Sequence, residues 1–541
     1  MASLQPLGPD VAYVNAGGMI TMAGSPSLDR QLTAMAVRDC RIVGLGSDTS
    51  ISEVSAGAPL VDLEGAVVMP GLIDCHNHFL RTTLGWDHLQ LAGVRSIEEL
   101  LDAVGGRARE TPEGEWVMCA SRWHETNLAE RRMPTAEELD RVAPHNPVCL
   151  PRGGHVVVTN SLGLQHAGIS HSSEDPPGGE YVRDASGHLT GMLLERPAFA
   201  GLGRLLPQPS EKDRRDSIRA GIAAYNQVGI TAVREPGLLA PDIRSFQAVI
   251  PQEKSIRLSL MWRVDMSASP EEQREWIDGL APISGFGDQW LDIWGLKVVM
   301  DGGVEAACLH QPYANNPHFR GIPFATSDNL KALLDGAHQM GWKVGVHVAG
   351  DAAMEMVLDA FQEVDRQTAI GTRGHALEHA FLPVPGAIER TRDLGIGVTL
   401  QHALVYSLAG NMVSYWGKQR AADCSPSRAW LDSGTLTGAG TDSPVTSYDP
   451  WLNVYGFATR DTEMAGIIGP EHRISIAEAL HCYTVGSAAI LGQEQQLGSL
   501  SQGKAADFIC LDRDPLTSTP DQVRQTVVKR TVVGGRQVFP A

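Results

Sequence analysis

The stretch Pro70-Gly71-Leu72-Ile73-Asp74-Cys75-His76-Asn77-His78-Phe79-Leu80 closes an apolar run that begins at Ala66. In a strand, residues two apart share a face, so His76 and His78 aim one way and Asn77 the other. Val67, Val68, Met69, Leu72 and Ile73 read as a strand covered on both sides, the pattern of a parallel sheet. Two co-facial imidazoles at the end of such a strand are poor core residues and good ligands for a divalent ion. A pair of surface-loop histidines is the competing reading, and the rest of the chain has to decide between them.

Downstream of this stretch, strand-like and helix-like runs alternate. DIWGLKVVMDGG precedes NLKALLDGAHQMG, WKVGVHVAGD precedes AAMEMVLDAFQEVDRQ, and TLTGAGTDSPV precedes another helical stretch. This rhythm implies parallel strands with crossover helices, and over this length an α/β (β/α)8 TIM barrel is favoured over an open sheet. The rhythm breaks between about 112 and 200, where PTAEELDRVAPHNP and SSEDPPGGEYVRDASGHLTG are rich in turn residues. That segment reads as an insertion after the first barrel strand, roofing the site. Both chain ends carry short alternating β-segments, so a small β-sandwich domain from residues 1–68 plus 495–541 is expected around a barrel domain of 69–494.

Composition excludes some partners. The chain has 541 residues, with 44 basic against 63 acidic side chains and a net charge of -19. Nucleic acid and anionic membranes are therefore not expected partners. The mean hydropathy is -0.12 and no run approaches a membrane span. The first residues lack the pattern of a signal peptide. Eight scattered cysteines read as reduced thiols, so a cytoplasmic protein is expected. The partner expected is a small-molecule substrate, and a homodimer is compatible with the sequence.

Barrel enzymes place their chemistry at the C-terminal ends of the strands. Besides His76 and His78, those positions hold Lys297, His347, His379, Gln401, His402 and Asp442. Together with PVCLPRGGHVVVTNSLGL, PPGGEYVRDASGHLTGMLLE, LEHA, LQHA, YWGKQRA, GTDSPV and GSLSQGKAADFICLDRDPL, this order resembles the amidohydrolase superfamily of metal-dependent TIM-barrel hydrolases. Within it, the match points to the amidohydrolase 3 branch, which includes N-substituted formamide deformylases.

The resemblance implies that His76 and His78 hold one metal with Asp442, and that His347 and His379 hold a second. One or two zinc or similar divalent ions are expected. Lys297 is implied as a carboxylated lysine bridging them, because an ammonium has no lone pair; an ordinary lysine paired with Asp301 is the alternative. The implied chemistry is hydrolysis of a C–N bond, in an N-substituted formamide or other N-acyl amine, by hydroxide formed at the metal. Asp442 serves as general base and acid, and His155 and His379 assist. A carbamate, cyclic amide or ester is the alternative substrate, and a catalytically inactive regulatory relative is the non-enzyme alternative.

Two departures from the family pattern stand out. Gly153-Gly154-His155 occupies a place where Asp-Gly-His is common, leaving open what orients His155. Arg234-Glu235 replaces a His-Asp pair, and Arg234 either meets an acidic substrate group or pairs with Glu235. Trp86, Trp123, His155, Arg234, His402 and Trp416 are the expected substrate-binding residues, the tryptophans favouring an apolar or aryl substrate. Glu195, in GMLLERP, is read as structural.

Overall fold

The apolar run Val67–Ile73 is two strands divided at Gly71. In the computed structural model, which describes residues 10–55, 57–280 and 284–540, Val67–Pro70 lies in a sheet of the β-sandwich and Leu72–Asp74 opens the barrel. Gly71 allows the crossing. A Cβ there would stand 2.2 Å from Thr231 Oγ1, so no larger residue fits without displacing its neighbour.

Eight parallel strands follow one another around the barrel: β1 (Leu72–Asp74), β2 (Ile230–Leu238), β3 (Arg257–Arg263), β4 (Leu291–Val299), β5 (Val344–Val348), β6 (Ala376–His379), β7 (Gly397–Leu400) and β8 (Thr437–Ala439). The ring closes just beyond the strand ends. Cys75 N–H donates to the Ala439 carbonyl at 3.0 Å, Asp442 N–H to His76 at 2.9 Å, and His78 N–H to Ser443 at 2.9 Å. The fold is therefore a (β/α)8 TIM barrel. Its core is one large apolar cluster in which strand residues such as Leu72 and Leu296 join helix residues such as Leu333 and Phe361.

The sandwich draws on both ends of the chain. Phe508–Leu511 runs antiparallel to Val67–Pro70, with Phe508 opposite Pro70. A bidentate ion pair ties the sandwich to the barrel: Arg257 of β3 donates to both oxygens of Asp507, at 2.6 and 3.0 Å, and stacks on Trp290.

The insertion between β1 and β2 is a five-stranded sheet with helices. It begins earlier than the turn-rich segment near residue 112, since the helix Ile97–Glu110 shares a core with Leu139, Val148 and Val158. The stretch read as turn-rich contains the helix Ala136–Val142. A capping box between Thr135 and Glu138 starts it, a signal that the surrounding prolines obscured. Among the described residues, no helix is long and apolar enough to cross a membrane.

Candidate active site

β1 ends at Asp74, so His76 lies in a bend and His78 precedes the helix Phe79–Leu84. The two imidazoles still converge, through the bend and not through strand alternation. Both Nε2 atoms approach Asp442 Oδ1, at 3.5 and 3.4 Å. Asp74 clamps the bend beneath them, accepting from His76 N–H, Asn77 Nδ2, Thr441 N–H and Thr441 Oγ1.

The remaining strand ends complete the cluster. Ring centroids lie 4.8 Å apart for His76 and His379, 4.6 Å for His347 and His379, and 5.4 Å for His155 and His347. His76, His379 and Asp442 offer ligand atoms all within 4.8 Å of one another. His379 and Asp442 both adopt positive φ, 71° and 56°, a backbone cost that recurs at functional sites.

Hydrogen bonds behind the rings orient them. His76 Nδ1 donates to Glu378 at 2.5 Å, His379 Nδ1 to Gln401 at 2.7 Å, and His78 Nδ1 to the Pro236 carbonyl at 3.2 Å. Each bond leaves the Nε2 lone pair facing forward, the arrangement that prepares a histidine for a metal. Burial holds His347 and His379 well below the usual imidazole range and His78 at about 3, so all three keep a free lone pair.

Lys297 and Asp442 carry the cluster's unmet polar atoms. Lys297 Nζ is buried without a hydrogen bond, as is Asp442 Oδ1. Burial lowers Lys297 to about 8 against the pull of Glu378 and Asp442. Burial alone would raise Asp442, but His76, His78 and Lys297 hold its carboxyl below the usual carboxylate range. The expected alternative pairing of Lys297 with Asp301 does not occur, because Asp301 caps the backbone amides of Cys308, Ala349 and Gly350.

Several expected substrate residues stand elsewhere. Arg234 meets neither a substrate nor Glu235. Its buried guanidinium grips Glu378 at 2.6 and 2.7 Å, donates to the Cys75 carbonyl and stacks on Trp294, so it braces the carboxylate behind His76. His402 is fully buried and stacks on Phe457, while Gln401 beside it reaches the site. Trp123 is buried in the insertion core with its N–H on the Pro151 carbonyl. Trp416 packs in the cluster that contains Phe381. Of the three tryptophans, only Trp86 is not buried, at 6.1 Å from Tyr448.

Glu195 belongs to the site and not merely to the scaffold. His155 Nδ1 donates to its carboxylate at 2.8 Å, and the other oxygen accepts from Gly303 N–H. Glu195 is fully buried with φ at 65°. Gly302 and Gly303 make room for the pair: a Cβ on Gly302 would stand 2.4 Å from the carboxylate, and one on Gly303 would stand 2.8 Å from the His155 ring. The carboxylate missing beside Gly153 is thus supplied from residue 195. The Asp-Gly-Gly run at 301–303 was the available signal, since paired glycines after a strand mark a close approach.

A model of the amidohydrolase family matches residues 60–539. The N-substituted formamide deformylase of Arthrobacter pascens is 29% identical over 519 residues, covering 93% of this chain and 94% of that protein. LONG AFTER FAR-RED 3 of Arabidopsis thaliana is 29% identical over 522 residues, covering 94% and 88%. The crystal structure of an uncharacterized metal-dependent hydrolase from Pyrococcus furiosus superposes with a TM-score of 0.70 at 26% identity, covering 94% of this chain and all of that one.

Proposed function

The chain belongs to the amidohydrolase family and is a metal-dependent hydrolase, and we propose that it cleaves the C–N bond of an N-substituted formamide or other N-acyl amine. The observation that carries this reading is the convergence of His76, His379 and Asp442 around the unpartnered Lys297 Nζ at the strand ends. The deformylase, alike along nearly the whole chain, supports the choice of bond.

The donor set suits a divalent ion such as zinc. Imidazole lone pairs point forward from rings anchored behind, and a carboxylate oxygen is buried without a donor. His76, His78, His347, His379 and Asp442 would hold one or two ions. Lys297 would join them as a carbamate, formed when its neutral amine adds to carbon dioxide and loses a proton. A divalent ion held there would polarise the scissile carbonyl and lower the pKa of water.

The residues themselves handle the protons and the orientation. Asp442, held ionised, accepts the proton of the attacking water and returns it to the leaving nitrogen. His155, fixed through Nδ1 by Glu195, presents Nε2 to the substrate. Gln401 keeps the His379 ring in place.

Two measurements on the purified protein test this reading. Elemental analysis should find between one and two equivalents of a divalent metal, and a screen of N-formyl amines, aryl amides, carbamates and lactams should find turnover of the first class. Trace metal with activity that survives exhaustive chelation would refute it. Lys297→Ala should lose both metal and turnover, with partial recovery in added short carboxylates; a variant with full metal content and near-normal turnover would remove Lys297 from the centre.

A further inference from the structure

Three arginines stand around the barrel mouth with no task in the mechanism above. Arg81 lies in the helix Phe79–Leu84, three residues past His78. Its guanidinium donates to the Gly153 carbonyl at 3.4 Å, in the turn that carries His155. Arg196 follows Glu195, the carboxylate on His155, and begins the helix Arg196–Gly203. Arg263 ends β3 in register with Lys297 of β4, and residues in register share a face of the sheet. Its neighbour Trp262 lines an outer groove with Ile243 and Phe286, so alternation turns Arg263 inward. Three elements distant in sequence therefore bring three guanidiniums to one rim.

None of the three has a carboxylate within ion-pair distance among the described residues. Of the four buried arginines, Arg152, Arg234 and Arg257 each have one, and Arg460 instead donates to the backbone carbonyls of Ile468, Ser425, Ala422 and Cys424. Arg81 and Arg196 are solvent-exposed and Arg263 is half-buried, yet surrounding protein lowers the pKa of all three, Arg196 to about 9. Arg81 depresses both of the others, and Arg263 depresses Arg196. Asp442, Glu195 and Asp265 each pull on one of the three without reaching ion-pair distance, so each guanidinium keeps donors for an anion brought from outside.

We infer that the substrate carries an anionic group, a carboxylate or another oxoanion, which Arg81, Arg196 and Arg263 bind beside the scissile C–N bond. The inference rests on the hydrolase reading above and narrows its substrate to an acidic N-acyl amine. The planar fork of the guanidinium suits such groups, since it donates two parallel hydrogen bonds to one oxoanion. The aryl substrate expected from the tryptophans loses support in the same step, because Trp123 and Trp416 are packed away.

The test uses the full-length, metal-loaded protein with N-formyl and N-acetyl amino acids, their neutral carboxamides, and N-acyl aminoalkyl phosphonates. Acids should exceed carboxamides in kcat/KM by roughly 10- to 100-fold, and the preference should shrink as salt rises. The phosphonates tell a carboxylate site from one built for phosphate-like groups. Binding is read separately by calorimetry with an N-sulfonyl amino acid, whose sulfonamide resists hydrolysis, and its carboxamide. Arg196→Gln and Arg263→Gln should each cut the acid-over-carboxamide binding ratio by about tenfold, and Arg196→Lys should retain part of it. Acid and carboxamide binding to the unaltered protein within about twofold of each other would overturn the inference. So would a preference that both glutamine variants retain. A binding preference without turnover of any N-acyl compound would defeat the hydrolase reading and leave the anion site standing.

Discussion

The two ends of the barrel treat charge in opposite ways. Where the sandwich meets the barrel, Arg257 and Asp507 satisfy each other twice over, Gly534 N–H donates to the same carboxylate, and Trp290 covers the guanidinium. At the mouth, Lys297 Nζ and Asp442 Oδ1 are buried without hydrogen bonds, and Arg81, Arg196 and Arg263 have no carboxylate partner. Natural cores leave few polar atoms unmet, so the contrast separates a seam that serves stability from a rim that reserves its polar atoms for something bound.

Three substitutions put that contrast at risk. The largest effect is expected for Asp442→Asn. Loss of a general base alone costs roughly 10²–10⁴ in rate, and the melting temperature should hardly move, because the side chain supports little else. Normal turnover of the folded fraction with a lowered melting temperature would make the rim a structural feature like the seam. Asp507→Ala should do the reverse. Stranding the buried Arg257 costs about 3–5 kcal/mol of stability, measured by denaturant unfolding, while kcat of the folded protein stays near normal. A kcat collapse there without loss of stability would erase the distinction between the two ends. The smallest effect is expected for Glu195→Gln, which keeps an acceptor for His155 Nδ1 but removes the charge. It should lower kcat by roughly 10- to 100-fold with KM and metal content little changed. An equal loss of kcat in His155→Ala and in the double variant would confirm that Glu195 acts through His155, whereas additive losses would reduce it to a packing residue.

The sequence reveals unequal amounts of these two ends. His76, His78, Lys297, His347, His379 and Asp442 are legible because strands end in polar residues only where something requires it. The break at Gly71 is hidden, since the apolar pattern runs unbroken through a change of sheet. Arg234 pairs with a carboxylate, but that partner, Glu378, is far away in sequence, and adjacency suggested Glu235 instead. Glu195 presents the same difficulty, for only the fold brings it to His155. The rim arginines are the least legible of all. An arginine in a short helix or at a strand end reads as a solvated surface residue, and only the register of β3 against β4 and the bond from Arg81 to Gly153 bring these three to one side.

The crossing at Gly71 has a consequence for the order in which the molecule can be made. Val67–Pro70 pairs on one edge with Gly18–Ile20, made before it, and on the other with Phe508–Leu511, made only after all eight barrel strands. Two residues beyond Pro70 the chain enters β1, whose end carries His76 and His78. Until Phe508–Leu511 leaves the ribosome, the strand that anchors this pair has an open edge, and an open edge can pair with another chain. A nascent chain halted before Phe508 would expose that edge beside His76 and His78, so the sheet that anchors the pair closes only after every barrel strand has been made.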